Sequence, residues 1–88
     1  MRYAARVDAN QRQIITALEA AGADVWVIGL PVDLLVGYKG HTFLVEVKNG
    51  PKRRLTALQA DFFENWSGST LARIDGPVGA LRMIGVLK

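Results

Sequence analysis

The strongest constraint on the fold of this 88-residue chain is a pair of extended, Val- and Leu-rich segments on either side of Lys39-Gly40. The segments cover residues 33–38 and 41–48. Because Gly readily adopts the positive φ of a tight turn, the pattern predicts a β-hairpin closed by two residues. Counting outward from that turn places Asp33 directly opposite Glu46, on the same face of the sheet.

Two amphipathic helices are predicted, one on each side of the hairpin in the sequence. Asp8 is a good N-cap for a helix over residues 9–21, in which Gln11 shares the apolar stripe of Ile14, Ile15 and Leu18. Thr56 and Gln59 match a capping box at the start of the second helix, which is expected to end at Ser67-Gly68. The first helix therefore carries a polar residue where a plain core helix would carry an aliphatic one.

Shorter segments complete the predicted architecture. A β-branched and aromatic run over residues 25–28 predicts a strand that is buried or covered by a partner, and residues 70–74 predict another. Gly76-Pro77 is expected to open a short helix that ends near Met83. The order helix, three strands, helix, strand, short helix predicts a single α/β (α+β) domain over residues 1–88, with a small mixed sheet flanked by helices.

The predicted hairpin brings together groups that suit metal-dependent chemistry. Like charges directly opposite across two strands destabilise a sheet, and a divalent cation would reverse that effect. Lys48 lies two residues beyond Glu46, so the alternation of a strand directs it to the same face. Carboxylates suit Mg²⁺, with Mn²⁺ as a substitute, and Lys48 could orient a water or neutralise developing charge. A bare Glu-x-Lys triplet is common by chance, and a three-residue turn would direct Asp33 away from Glu46.

Composition limits the classes of function. Eleven Lys and Arg against eight Asp and Glu give a net charge of +3, which is compatible with a polyanionic partner without requiring one. The chain has no cysteine, which excludes a disulfide framework and suits a reducing cytoplasm. No apolar stretch is long enough to cross a membrane. A chain this short buries a limited fraction of its surface, so pairing with a second copy would add stability.

Other residues have both a functional and a structural interpretation. Lys52, Arg53 and Arg54 could bind DNA phosphates or form a solvated loop. His41 is expected to be an exposed turn residue, since nothing at metal-ligand spacing accompanies it. Trp26 and Trp66 are expected to be core or dimer contacts rather than platforms for stacking bases.

A family resemblance is carried by Pro31-Val32-Asp33 followed by Glu46-Val47-Lys48, which resembles the PD-(D/E)XK nuclease signature. Over residues 6–75 the chain is similar to stand-alone virus-type replication-repair nuclease (VRR-NUC) domains of phages and bacteria. The similarity also includes residues 8–11 and 33–37, Asn49-Gly50, the Leu55-Thr56-x-x-Gln59 segment and Trp66. The signature usually has Pro next to Asp, whereas Val32 intervenes here.

The resemblance implies a restriction-endonuclease-like fold and a homodimeric, Mg²⁺-dependent endonuclease that cuts branched DNA, as Holliday junction resolvases do. By the same resemblance, Asp33 and Glu46 hold the metal with help from the Val47 carbonyl, and Lys48 is the catalytic lysine. Gln11 occupies the place of a first-helix residue that assists the metal site. Gln59 occupies the place of a second-helix glutamine in the catalytic centre. For Gln59 the capping box is an alternative role, and for Gln11 the edge of an apolar stripe.

Two other functions are compatible with the same residues. The chain could be a non-catalytic DNA-binding module that kept the fold and lost the activity, or a nuclease with no preference for branched substrates. The first predicts salt-sensitive binding without product, and a panel of linear, nicked and four-way DNA distinguishes the second.

Overall fold

The structure, a computed structural model, describes residues 8–48 and 55–88. Its elements follow the predicted order of helix, three strands, helix, strand and short helix, which confirms the predicted α+β class. They are α1 (Ala9–Ala20), β1 (Asp24–Val27), β2 (Leu34–Tyr38), β3 (His41–Val47), α2 (Ala57–Asn65), β4 (Thr70–Ile74) and α3 (Pro77–Met83).

The four strands form one mixed sheet in the order β1-β2-β3-β4. β2 runs antiparallel to both β1 and β3, whereas β4 runs parallel to β3. A parallel neighbour requires a crossover connection, and α2 lies within it. The chain therefore enters α2 after leaving the end of β3 that carries the predicted site.

The hairpin turn sets the register of β2 and β3. Lys39 and Gly40 both have positive φ, at 47° and 82°, as a type I′ turn requires. Tyr38 pairs with His41, which confirms the two-residue turn. A three-residue turn, which would have separated the carboxylates, is excluded because the pairing continues without a slip to Leu34 opposite Val45.

The core lies between one face of the sheet and the helices α1 and α3. Alternate strand residues point into it, and Ile14, Ile15 and Leu18 of α1 pack against them. The buried strand residues of this core are Val25, Val27, Leu34, Val36, Phe43, Val45, Val47 and Ile74, and Leu44 is buried outside it. In β1 the intervening residues are exposed, so β1 is covered on one face only. This alternation leaves Glu46 on the face opposite the core.

The helix α2 is less buried than α1 and α3. Thr56 is its N-cap and forms the predicted capping box with Gln59, yet no residue of α2 is fully buried. Trp66, at its end, is 41% exposed, and Trp26 on β1 is 51% exposed. Of the core and dimer contacts expected for these tryptophans, the core alternative is wrong because α1 and α3 already fill the apolar face of the sheet. The dimer alternative stays a prediction. His41 is exposed, as predicted.

Candidate active site

The two carboxylates lie opposite each other at the open end of the hairpin. Asp33 is the residue before β2, and continuing the observed register by one step from Leu34 and Val45 pairs it with Glu46. Glu46 is the sixth residue of β3 and is partly buried. The register derived from the sequence is confirmed, although Asp33 itself falls just outside the strand.

Asp33 is fixed by both its side chain and its main chain. Its Oδ2 accepts a hydrogen bond of 2.8 Å from the backbone N–H of Val47. Its carbonyl oxygen accepts from the backbone N–H groups of Ile28 at 3.0 Å and Gly29 at 3.3 Å. The carboxylate is thus held against the end of β3, on the main chain between Glu46 and Lys48.

Glu46 has one oxygen with a partner and one without. Oε2 accepts a hydrogen bond of 3.1 Å from Nε2 of Gln59. Oε1 is buried and, among the described residues, has no hydrogen-bond partner. A buried acceptor without a donor costs about 1–3 kcal/mol, more when it is charged. Of the described buried side-chain oxygens and nitrogens, Oε1 is the one that lacks a partner.

The electrostatics of Glu46 reflect its surroundings. Burial raises the pKa of its carboxyl above the ordinary value of 4.5, and the charge of Asp33 raises that pKa further. The hydrogen bond from Gln59 and the backbone of Asp33 act in the opposite direction and lower the pKa. The site therefore concentrates negative charge where water is partly excluded, an environment that favours either a proton or a cation.

Lys48 follows β3 directly, and its main chain is well held. Its N–H donates to the carbonyl of Ile74 at 2.8 Å, which extends the parallel pairing of β3 and β4 by one residue. The side chain is exposed, and within the described part of the chain no salt bridge ties it to Asp33 or Glu46. Its ammonium group is therefore accessible to an anionic substrate, two residues from Glu46.

Gln59 forms the predicted capping box and also contacts Glu46, while its role in catalysis stays a prediction. Its Oε1 accepts from the backbone N–H of Thr56 at 3.1 Å, completing the capping box. At the same time its Nε2 donates to Glu46. One amide therefore links the start of α2 to the candidate metal ligand, and its contact is with a carboxylate oxygen rather than with open solvent.

The remaining predicted residues are less directly connected. Gln11 is buried, with 5% of its surface exposed, which confirms its place on the apolar face of α1. No hydrogen bond between described residues joins its side chain to Asp33 or Glu46. The Val47 main chain lies beside Asp33, but the described contact involves its N–H, and the role of its carbonyl stays a prediction. Lys52, Arg53 and Arg54 lie outside the described residues.

Sequence reasoning missed Asn10. This residue in the first turn of α1 donates from Nδ2 to the carbonyl of Lys48 at 3.1 Å and to the carbonyl of Asp75 at 3.3 Å. Both contacts are long-range, and no local periodicity marks an Asn at this position. The signal available in the sequence was its place beside Gln11, in the run Asp8-Ala9-Asn10-Gln11.

The oxygen ligands at the site determine which metal ion it could hold. Within residues 8–48 and 55–88 there is no group of three or more His, Cys, Asp or Glu side chains arranged to hold a metal. Mg²⁺ retains several waters and commonly binds proteins through one or two carboxylates, so the pair of Asp33 and Glu46 fits it. The buried Oε1 of Glu46 supports that fit because it is an oxygen ligand with no donor among the described residues.

A second surface feature lies beside this site. It is a groove of about 440 Å³. Leu30 and Pro31, just before Asp33 in the sequence, form one part of its lining, and the rest comes from α2 and the residue after it: Leu58, Asp61, Phe62, Asn65 and Trp66. The rings of Phe62 and Trp66 lie 5.1 Å apart with an interplanar angle of 32°. The groove is thus an exposed apolar surface on the α2 side of the candidate site.

Comparison with known proteins does not identify the chain. No protein-family model, no curated protein and no solved structure matches it.

Proposed function

We propose that this protein is a Mg²⁺-dependent endonuclease of the PD-(D/E)XK type that hydrolyses phosphodiester bonds in DNA. The observation that carries the proposal is the buried Oε1 of Glu46, which has no partner among the described residues and belongs to a carboxylate facing Asp33. A structural pair of acidic residues would be stabilised by a donor at that oxygen. A divalent cation accounts for both the repulsion and the missing donor.

Each side chain has a defined task in this proposal. Asp33 and Glu46 would hold Mg²⁺, which acidifies a water and stabilises charge on phosphoryl oxygens when bound. Gln59 holds Oε2 of Glu46, and Val47 holds Oδ2 of Asp33, so each carboxylate keeps one orientation. Lys48 supplies a positive charge for a phosphate oxygen on the same face.

The proposed substrate and assembly state rest on the resemblance to VRR-NUC domains and on surface features. The net charge of +3 is compatible with DNA, and Lys52, Arg53 and Arg54 would bind its phosphates beyond the end of β3. We extend the proposal to branched DNA and to a homodimer. The exposed apolar surfaces of Trp26, Leu30, Leu58 and Trp66 support a second copy as the partner.

The cellular setting is proposed on narrower grounds. The absence of cysteine suits a cytoplasmic enzyme, in a bacterium or a phage-infected host. No helix in the described part of the chain is long and apolar enough to cross a bilayer.

The test is cleavage of labelled four-way, nicked and linear DNA by the purified protein with Mg²⁺, Mn²⁺ or EDTA. We expect cutting only with a metal, and preferentially of the four-way substrate. Glu46→Gln and Lys48→Ala should each reduce the rate by about 100-fold or more while DNA binding is retained. Lys39→Ala is the matched control, because Lys39 is exposed at the opposite end of the hairpin.

Two results would contradict the proposal. Salt-sensitive DNA binding with no product under any metal condition would favour a non-catalytic DNA-binding module. Equal rates on linear and four-way DNA would leave the nuclease chemistry in place and remove the branch preference. Anomalous scattering from a Mn²⁺ crystal provides a direct check, since the metal should lie between Asp33 and Glu46.

A further inference from the structure

The side-chain amide of Asn10 joins three parts of the fold at the candidate site. Asn10 lies in the first turn of α1, directly after Ala9. Its Nδ2 donates to the carbonyl of Lys48 at 3.1 Å and to the carbonyl of Asp75 at 3.3 Å. Since Lys48 follows β3 and Asp75 follows β4, one NH₂ group caps the ends of two parallel strands.

The carbonyls that Asn10 binds are those that the sheet leaves without regular pairing. Lys48 lies one residue beyond β3, and its N–H is held by Ile74 of β4. Its carbonyl points away from that ladder bond and is held by Asn10. Both polar groups of the Lys48 main chain are therefore fixed, one by β4 and the other by α1.

We propose that Asn10 is a positioning residue that sets the main chain of Lys48 and so directs the lysine side chain toward the face of Glu46. This inference rests on the proposed nuclease function for its catalytic consequence. Its geometric part, the control of the Lys48 main chain by Asn10, does not depend on that function.

The chemistry requires an amide of this length. Bonding two carbonyls requires two donors on one nitrogen, which Asn has. Asp at this position lacks both donors and faces two carbonyl oxygens with an acceptor, whereas Ser offers a single donor. Asn10→Asp therefore removes the clamp while changing little in size, and Asn10→Ser should retain part of it.

The matched control is Asn65→Asp. Asn65 on α2 also donates from Nδ2 to a backbone carbonyl, that of Asp61, at 2.9 Å, and in addition to the Asp61 carboxylate at 2.9 Å. The substitution therefore makes the same change of charge and loses the same kind of bond away from Lys48. Asn65 is the last residue of α2, where a negative charge is unfavourable, whereas Asn10 is in the first turn of α1, where it is favourable. A general loss of stability from the added charge should therefore be larger in Asn65→Asp than in Asn10→Asp.

The first measurement is hydrogen exchange at the Lys48 amide, followed by NMR on labelled protein. We expect exchange to be about 5- to 10-fold faster in Asn10→Asp, from the loss of roughly 1 kcal/mol of local hydrogen bonding, and unchanged in Asn65→Asp. Unchanged exchange at Lys48 in Asn10→Asp would overturn the proposal. This result can be read whether or not the protein cuts DNA.

The second measurement is the cleavage rate at saturating DNA and Mg²⁺. We expect Asn10→Asp to lower kcat by roughly 10- to 100-fold, as misplacement of a catalytic group does, with KM and the half-saturating Mg²⁺ concentration nearly unchanged. In a Lys48→Ala background, Asn10→Asp should have almost no further effect. Fully multiplicative losses would mean that Asn10 acts independently of Lys48, and would overturn the positioning role.

Together, the exchange and cleavage measurements distinguish failure of the nuclease proposal from failure of the proposed role of Asn10. A wild-type protein that does not cut DNA, combined with faster Lys48 exchange in Asn10→Asp alone, would reject the nuclease proposal and retain the clamp. A wild-type nuclease whose Lys48 exchange and kcat are insensitive to Asn10→Asp would reject the clamp and retain the nuclease.

Discussion

Replacing Glu46 with Gln should make the protein more stable when no metal is present. A side-chain oxygen remains to accept from Gln59, while the negative charge that opposes Asp33 disappears. Like charges directly opposite across two strands cost up to about 1 kcal/mol. A domain of this size gains roughly 4–8 °C in Tm for each kcal/mol. In EDTA at about pH 8, well above the ordinary pKa of a carboxyl group, we therefore expect Glu46→Gln to melt several degrees higher than the wild type.

The size of this difference should depend on pH in a defined direction. The pKa of Glu46 in the folded protein is raised above the ordinary value of 4.5. The folded state then binds the proton more tightly than the unfolded state does. That contribution to stability is fully present below 4.5 and is lost as the pH rises through the folded-state pKa. The wild type should lose stability in that window and Glu46→Gln should not, so the curves separate as the pH rises.

Magnesium should reverse the order of stability at the higher pH. A ligand that binds only the folded state stabilises it by about 2.7 kcal/mol at 100 times its Kd, which exceeds the expected gain from Glu46→Gln. The wild type should bind Mg²⁺ and the variant should bind it weakly. At saturating Mg²⁺ the wild type should therefore have the higher Tm.

Thermal melts followed by circular dichroism, across pH and with Mg²⁺ or EDTA, provide the assay. Glu64→Gln is the matched control, because Glu64 is exposed on α2 and its change should lie within about ±0.5 kcal/mol. A Glu46→Gln protein less stable than wild type in EDTA would refute the repulsion argument. An unchanged order of Tm values at saturating Mg²⁺ would refute the metal site.

The remaining predictions concern the groups that hold the site. Asp33→Ala should lower the free energy of unfolding in urea by about 1–3 kcal/mol more than Asp33→Asn, because only Asn keeps an acceptor for the Val47 N–H. Gln59→Ala should raise the pKa of Glu46, measured by carboxyl ¹³C NMR, and should move any pH-rate profile to higher pH. Gly40→Ala should cost about 1–2 kcal/mol in urea unfolding, because φ at Gly40 is +82°.

Each of these predictions has an outcome that would contradict it. Equal unfolding free energies for Asp33→Ala and Asp33→Asn would mean that the Val47 bond contributes nothing. Thr56→Ala removes the other half of the capping box, so an equal pKa change there would assign the effect to the helix cap. Gly37→Ala is the control for Gly40, because an added Cβ at Gly37 meets nothing within 4 Å and its φ is ordinary.

The register of the hairpin was predictable because it is set locally. Gly40 readily accepts the positive φ of a two-residue turn, and the period-2 alternation of the strands then fixes every pair outward. Asp33 and Glu46 are 13 positions apart in sequence yet are connected by this single local choice. The capping box of α2 was predictable for the same reason, since Thr56 and Gln59 are one helical turn apart.

The contacts that complete the site were not predictable from such patterns. The Asn10 bond to Lys48 spans 38 positions and depends on how α1 is placed against the sheet. The bond from Gln59 to Glu46 depends on where the crossover places α2. Periodicity also marked an apolar face on α2 without indicating what covers it, and in the structure no residue of α2 is fully buried.

The hydrogen bonds of the two carboxylates orient the pair but leave one oxygen of Glu46 without a donor among the described residues. Val47 binds one oxygen of Asp33 and Gln59 binds one oxygen of Glu46, so the fold orients both groups. Oε1 of Glu46 stays buried without a donor among the described residues, at a cost of about 1–3 kcal/mol. Domains are stable by only about 5–15 kcal/mol, so this cost is a substantial fraction of the total. A donor from α2 would remove the cost, and it would also occupy the oxygen that a cation needs.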